Sequence, residues 1–248
     1  SNTISATVLT RDGTWVASTD NSNFVTLVRQ TNGNLAQNQT FDLGVGEATT
    51  TQSWAFNDNL LLVGFLNASV SVLSLDYATG TLTPKQVITF NSPALVVGRT
   101  SRFAACGLLD GSVYIYSYNL ASGQYELNQT ITSDSNSGCS SMDFSVGENR
   151  IVAARFDLSF DVFERNSTSY YNKVYTTSNA HTDSFLRVLF DTSSVYLLTT
   201  STDSTTKLWT LANGYSTGTS YNIKGASIDY SDAYGEFAVG ANVNAGGT

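Results

Sequence analysis

Few residues in this 248-residue chain have the types and company that chemistry requires. It holds one histidine, His181, and two cysteines, Cys106 and Cys139. A lone imidazole can serve as a general base or a metal ligand, but one histidine and two cysteines make a poor zinc set. Serine and aspartate are plentiful enough for a Ser-His-Asp triad, yet no Gly-x-Ser-x-Gly elbow occurs. Oxygen-rich clusters at residues 20–23, 58–59 and 134–136 offer the atom type calcium prefers. None completes a calcium-loop pattern, and Asp and Asn are equally the residues of tight turns. The expectation is no catalytic residue, no resident metal and no cofactor.

Modification chemistry is better represented. Four acceptor sequons for N-linked glycans begin at Asn38, Asn67, Asn128 and Asn166. With 21 Asn, 32 Ser and 32 Thr, chance alone supplies about that number, so placement matters more than count. Asn38 and Asn128 fall on outer strands, Asn67 in a tight turn and Asn166 in a hairpin, and all four are expected to face solvent. Cys106 and Cys139 fall on strands of neighbouring units, where a disulfide and two separate buried thiols are both open readings.

The elements that position these residues follow from a repeat. A short polar residue recurs at Asn21, Asn67, Asp110, Asp157 and Asp203, at intervals of 46, 43, 47 and 46. Six residues after each stands a large apolar one: Leu27, Leu73, Tyr116, Phe163 and Trp209. Self-similarity with a period near 40–45, built from short alternating strands between Gly/Asn/Asp turns, predicts an all-β β-propeller of four-stranded antiparallel blades. Five blades are expected over residues 3–44, 47–91, 92–134, 136–179 and 180–224 of a single domain, with a partial sixth over 225–248. The small apolar runs Phe103-Ala104-Ala105-Cys106-Gly107 and Ile151-Val152-Ala153-Ala154 read as innermost strands. Gly80 and Gly123 stand where hairpins need a positive φ. Pro84 and Pro93 fall near strand boundaries.

The fifth unit carries a family resemblance. Ser201-Thr202-Asp203-Ser204-Thr205-Thr206-Lys207-Leu208-Trp209, with Ala180-His181 ahead of it, resembles a WD repeat. The resemblance implies a hydrogen-bonded blade lock of His181, Asp203 and Trp209, with Ser201 as the strand-b fourth member. Ala180 stands where that family has Gly, and Thr210 where it has its closing Asp. The other units share the spacing alone. Separately, the hairpin over residues 70–87 is similar to hairpins of lactonase-type propellers, which would imply a hydrolase with its site at the central channel. Arg99, Arg102, Arg150, Arg155 and Arg187 are the basic candidates for such a site, with alternation pointing Arg155 outward.

Composition narrows the function. Twelve basic against twenty acidic residues give a net charge of −8, without the Lys/Arg clusters that nucleic acid or anionic lipid requires. No apolar run is long enough to span a bilayer. The chain opens at Ser1 with no leader pattern, which reads as a mature chain or a stretch of a longer one. The sixth unit supplies two strands before Asn244-Ala245-Gly246-Gly247-Thr248. It would be completed by further chain, by a strand from a neighbouring molecule, or by an irregular closure. The expected function is a non-enzymatic structural or protein-interaction module, extracellular or on the cell surface and glycosylated, whose partner is another protein or copies of itself. A propeller hydrolase and an intracellular WD-repeat adaptor are the alternatives.

Overall fold

The computed structural model describes residues 4–10, 12–20, 24–44, 49–55, 59–100, 102–216, 218–223, 225–231 and 236–241. Asn21, Asp58 and residues 242–248 lie outside them. The architecture is all-β, with one 3-10 turn at Leu211–Asn213. Five four-stranded antiparallel sheets follow in chain order, each a meander. The first comprises β1 (Ile4–Leu9), β2 (Trp15–Asp20), β3 (Phe24–Thr31) and β4 (Asn34–Asp42). The second comprises β5 (Thr49–Ala55), β6 (Leu60–Phe65), β7 (Ser69–Asp76) and β8 (Thr81–Thr89). The third comprises β9 (Ala94–Arg99), β10 (Phe103–Leu108), β11 (Val113–Asn119) and β12 (Gln124–Ile131). The fourth comprises β13 (Cys139–Phe144), β14 (Arg150–Arg155), β15 (Phe160–Arg165) and β16 (Tyr171–Thr177). The fifth comprises β17 (Phe185–Phe190), β18 (Tyr196–Ser201), β19 (Thr206–Thr210) and β20 (Gly218–Tyr221). A two-stranded sixth sheet pairs β21 (Gly225–Ser231) with β22 (Glu236–Ala241). These are the blades of a β-propeller fold, five complete and one partial. They fall into two compact units, residues 1–132 and 133–248.

In the first unit the first strands β1, β5 and β9 are neighbours, and in the second β13, β17 and β21 are. The first strand of each blade is therefore the innermost, and the small apolar runs at 103–107 and 151–154 belong to second strands. Their composition has a different cause from crowding at an axis. Strands β6 and β10 are buried along their whole length, so side chains of either parity are covered. In β6, Leu61, Val63 and Phe65 pack with Trp15, Ala17, Val25 and Leu27 of the first blade. Leu60 and Leu62 pack with Ala104, Cys106 and Leu108 of the third. Truncating Leu60, Leu61, Leu62 or Phe65 to Ala would cost about 2–5 kcal/mol.

All six first strands carry a bulge one residue from their start, at Ser5, Thr50, Leu95, Ser140, Leu186 and Ala226. The bulge reorients the following residue, and two such residues tie adjacent first strands together. Thr51 Oγ1 accepts from Val97 N–H at 3.4 Å, and Ser141 Oγ from Val188 N–H at 3.1 Å. Asp143 Oδ2 adds a bond from Phe190 N–H at 2.9 Å. Backbone donors on a strand edge that no sheet hydrogen bond reaches are thus satisfied by side chains.

Fourth strands carry a second recurrent bulge, at Asn38, Lys85, Asn128 and Val174. Asn38 Nδ2 donates to Gly80 O at 2.7 Å, and Gln39 Oε1 accepts from Leu82 N–H at 2.8 Å. One blade on, Gln86 clamps Tyr125 with two 2.8 Å bonds, amide to carbonyl and carbonyl to N–H. Pro84 lies inside β8, beside the bulge, where its missing N–H breaks no regular ladder. Gly80 and Gly123 have φ of 68° and 66°, as their hairpins require.

Candidate functional site

The blade-five residues converge through an unexpected hub. His181 Nδ1 lies 2.9 Å from Asp203 Oδ2, and His181 Nε2 lies 2.7 Å from Thr199 Oγ1. Trp209 Nε1 donates to the same Thr199 oxygen at 2.9 Å. Ser201 sits elsewhere: its hydroxyl donates to Asp183 O at 2.8 Å and accepts from Asp203 N–H at 3.1 Å. The strand-b member of the network is therefore Thr199. Trp209 is opposite Leu197 in the ladder, and the indole reaches diagonally to the residue two further on. Ser201 lies one same-face step beyond that, level with the tight turn.

Donor and acceptor inventories fix the proton positions. An aspartate only accepts, so His181 Nδ1 carries the hydrogen, and Nε2 accepts from Thr199 O–H. The Thr199 oxygen in turn accepts from the indole. The relay runs Trp209 to Thr199 to His181 to Asp203, with every participating group satisfied by a neutral imidazole. Burial pushes the His181 pKa below its ordinary value, opposed by the bond and charge of Asp203. For Asp203, burial works to raise the pKa. The bonds from Thr205, Thr182 and His181 outweigh it and hold the carboxyl well below the usual range. His181 and Trp209 are 1% and 3% exposed. Phe160 packs edge-on against Trp209 at 5.1 Å, and Phe185 against His181 at the same separation.

The fourth blade has the same backbone with different contents. The bond from Phe156 N–H to Gly138 O recurs 46 residues on as Thr202 N–H to Ser184 O, both 3.0 Å. Leu158 and Ser204 take matching φ values of 67° and 68°. Ser135, Ala153 and Phe163 stand where blade five has His181, Thr199 and Trp209. Arg155, matching Ser201, is not outward but 2% exposed. Its Nε and Nη2 reach Asp161 Oδ2 at 3.1 and 3.0 Å, and Nη1 donates to Ser137 O at 3.3 Å. Thr176 donates to the other Asp161 oxygen at 2.7 Å. A buried ion pair is tolerated only with its remaining valences filled. Nothing in the spacing of Arg155 and Asp161 marks them except their positions either side of a tight turn.

Arg150 pairs with Glu164 at 3.5 Å, the Arg102 guanidinium lies 5.7 Å from the Phe103 ring, and Arg187 is exposed. The side chain of Arg99 lies outside the described residues. Asp134 is ion-paired with Lys173. Among the described residues no three His, Cys, Asp or Glu side chains gather as a metal set, and no helix is long and apolar enough to cross a membrane.

Cys106 and Cys139 are both buried thiols. Burial pushes the Cys106 pKa to about 12, which leaves it a poor nucleophile.

The sequon residues divide by what their side chains do. Asn67 Oδ1 accepts from Ser69 Oγ at 2.6 Å. Asn166 Oδ1 accepts from Thr168 N–H and Oγ1 at 2.9 and 2.7 Å. The Asn166 Asx turn matches those of Asp110, Asp157 and Asp203 with Ser112, Ser159 and Thr205, and Asn67 bonds the hydroxyl two residues on, so the Asn-x-Ser/Thr pattern has a folding role of its own. Both Asn67 and Asn166 are exposed. Asn38 is exposed as well, but its amide nitrogen serves the clamp to Gly80. Asn128 is only half-buried rather than fully solvent-facing.

No protein-family model matches this chain, and no curated protein matches it either.

Proposed function

We propose that this chain is a non-enzymatic β-propeller module with a structural or protein-interaction role. The observation that supports it is the Trp209–Thr199–His181–Asp203 relay. The chain's only imidazole is buried, neutral and hydrogen-bonded at both nitrogens, so it holds a blade together and offers no lone pair to a substrate. This arrangement also favours the WD-repeat likeness of blade five, with Thr199 in place of Ser201.

The module acts outside the cell, carries glycans, and engages another protein or further copies of itself. Exposed Asn67 and Asn166 support the glycan reading. The sixth sheet supports the assembly reading. Its β22 pairs with β21 alone among the described residues and alternates between exposed and half-buried. The corresponding β6 and β10 are buried throughout. A strand with one unpaired edge takes an added strand by main-chain hydrogen bonding. Negative-stain electron microscopy of the native protein and of a variant lacking residues 235–248 tests this. Ordered assemblies that vanish in the variant, with blades one to five still folded, are expected. Unchanged assembly in the variant, or catalytic turnover abolished by His181→Gln, would contradict the proposal.

A further inference from the structure

Four Asx-Gly steps occur in the sequence, at residues 12–13, 32–33, 110–111 and 213–214. Such a step can react with itself. The glycine nitrogen is tethered within reach of the Asx side-chain carbonyl carbon, and no glycine Cβ obstructs the approach. Three of the four steps are held. Gly13, Gly111 and Gly214 N–H donate to the carbonyls of Thr10, Leu108 and Leu211 at 2.9, 3.0 and 2.8 Å. The Asp12 and Asp110 carboxylates accept from Thr14 and Ser112 N–H, each at 2.9 Å. The Asn213 main-chain carbonyl accepts from Ser216 Oγ at 2.7 Å.

Asn32-Gly33 differs from all three. It forms the two-residue turn between β3 and β4, closing the ladder with Thr31 opposite Asn34. Both turn residues have positive φ, 51° and 79°, as tight Asn-Gly hairpins do. Among the described residues, neither the Asn32 side chain nor the Gly33 N–H has a hydrogen-bond partner. A Cβ on Gly33 would meet nothing within 4 Å, so the space around the turn is open. Residues 29–38 are exposed without interruption, and this end of the hairpin covers no core. Turning the Gly33 nitrogen onto Asn32 Cγ therefore disturbs little, at the low-cost end of local opening.

We propose that Asn32 is a site of self-modification, deamidating through a cyclic imide formed with Gly33. The Gly33 nitrogen loses its proton and bonds to Asn32 Cγ. The Cγ–Nδ2 bond breaks, and the amide nitrogen leaves with a proton as ammonia. Water then opens the five-membered ring, giving aspartate at the side-chain carbonyl or isoaspartate at the main-chain carbonyl. Either product adds a negative charge. Isoaspartate also inserts a methylene into the turn, so Thr31 and Asn34 no longer meet in register.

The test incubates the native chain at mildly alkaline pH in oxygen-18 water. Its proteolytic peptides are then weighed and assayed for isoaspartate over time. The same peptides, released before incubation, give each rate without the fold. The fold should slow conversion at position 32 little and at position 213 about tenfold or more, since the latter must first break its backbone bonds. Gly33→Ala, which meets no packing conflict, should suppress conversion at position 32. A fold that protects position 32 as strongly as position 213 would overturn the proposal. So would conversion at position 32 that proceeds unchanged in Gly33→Ala.

Discussion

His181 Nε2 lies 2.7 Å from the hydroxyl oxygen of Thr199, which also takes the indole hydrogen of Trp209. One hydroxyl thus serves a donor on one side and an acceptor on the other. Thr199→Val keeps the shape and strands both a buried N–H and a buried ring nitrogen. Leaving two such groups unsatisfied should cost about 2–4 kcal/mol, read as a lowered denaturation midpoint with an unchanged slope. Ser201→Ala, outside the relay, should cost less than Thr199→Val.

The pH dependence follows from the same geometry. The folded His181 pKa lies below the ordinary 6.5 because burial disfavours the imidazolium. Between the two values the unfolded chain binds the extra proton, so stability is complete above 6.5 and falls as pH drops through it toward the folded value. Thermal midpoints measured from neutrality downward should decline just below 6.5. In His181→Asn that early decline should disappear, leaving the carboxylate losses at lower pH.

Gly80 packs directly against Trp15 and Asn38 of the first blade. A Cβ there would stand 2.1 Å from Trp15 Cη2 and 2.6 Å from Asn38 Nδ2, on a residue with φ of 68°. Neither the ring nor the clamped amide can retreat without losing its own contacts. Gly80→Ala should therefore destabilise by about 2–4 kcal/mol, combining backbone strain with overpacking. Gly33, also at positive φ but with nothing within 4 Å, should show the backbone part alone when changed to Ala.

Glycan occupancy should follow side-chain commitment. Asn67 and Asn166 use their carbonyl oxygens in turns and are exposed, whereas the Asn38 amide nitrogen is engaged with Gly80. Expression in a glycosylating host, followed by peptide mapping, should find sugar at Asn67 and Asn166 and little at Asn38. Full occupancy at Asn38 with the fold intact would break this account of the clamp.

The strands and tight turns were legible because alternation and Asx-x-Ser/Thr chemistry leave marks in residue type. His181, Asp203 and Trp209 were legible only through the resemblance of residues 180–181 and 201–209 to a WD repeat. Thr199 was not, because selecting it over Ser201 depends on how far an indole reaches across a ladder. The bulges were illegible for a deeper reason. Ser5, Thr50, Leu95, Ser140, Leu186 and Ala226 share no side-chain property, only a position in the backbone register. Asn38-Gln39-Thr40 and Asn128-Gln129-Thr130 carried a visible pattern that reads as glycan acceptors. Both sit at the same fourth-strand bulge, where Asn38 and Gln39 reach sideways to the next blade. Arg155 defied alternation because the ion pair with Asp161 repays its burial.

The central claim is that the only imidazole is a structural lock and not a reagent. Nitrogen-15 NMR of His181 in the native chain tests it most directly. The account predicts a single neutral Nδ1–H tautomer that resists protonation below the ordinary 6.5 and loses its signature in Thr199→Val. An imidazole that exchanges tautomers and titrates near 6.5 like a solvent-exposed one would contradict it, and would reopen the search for chemistry.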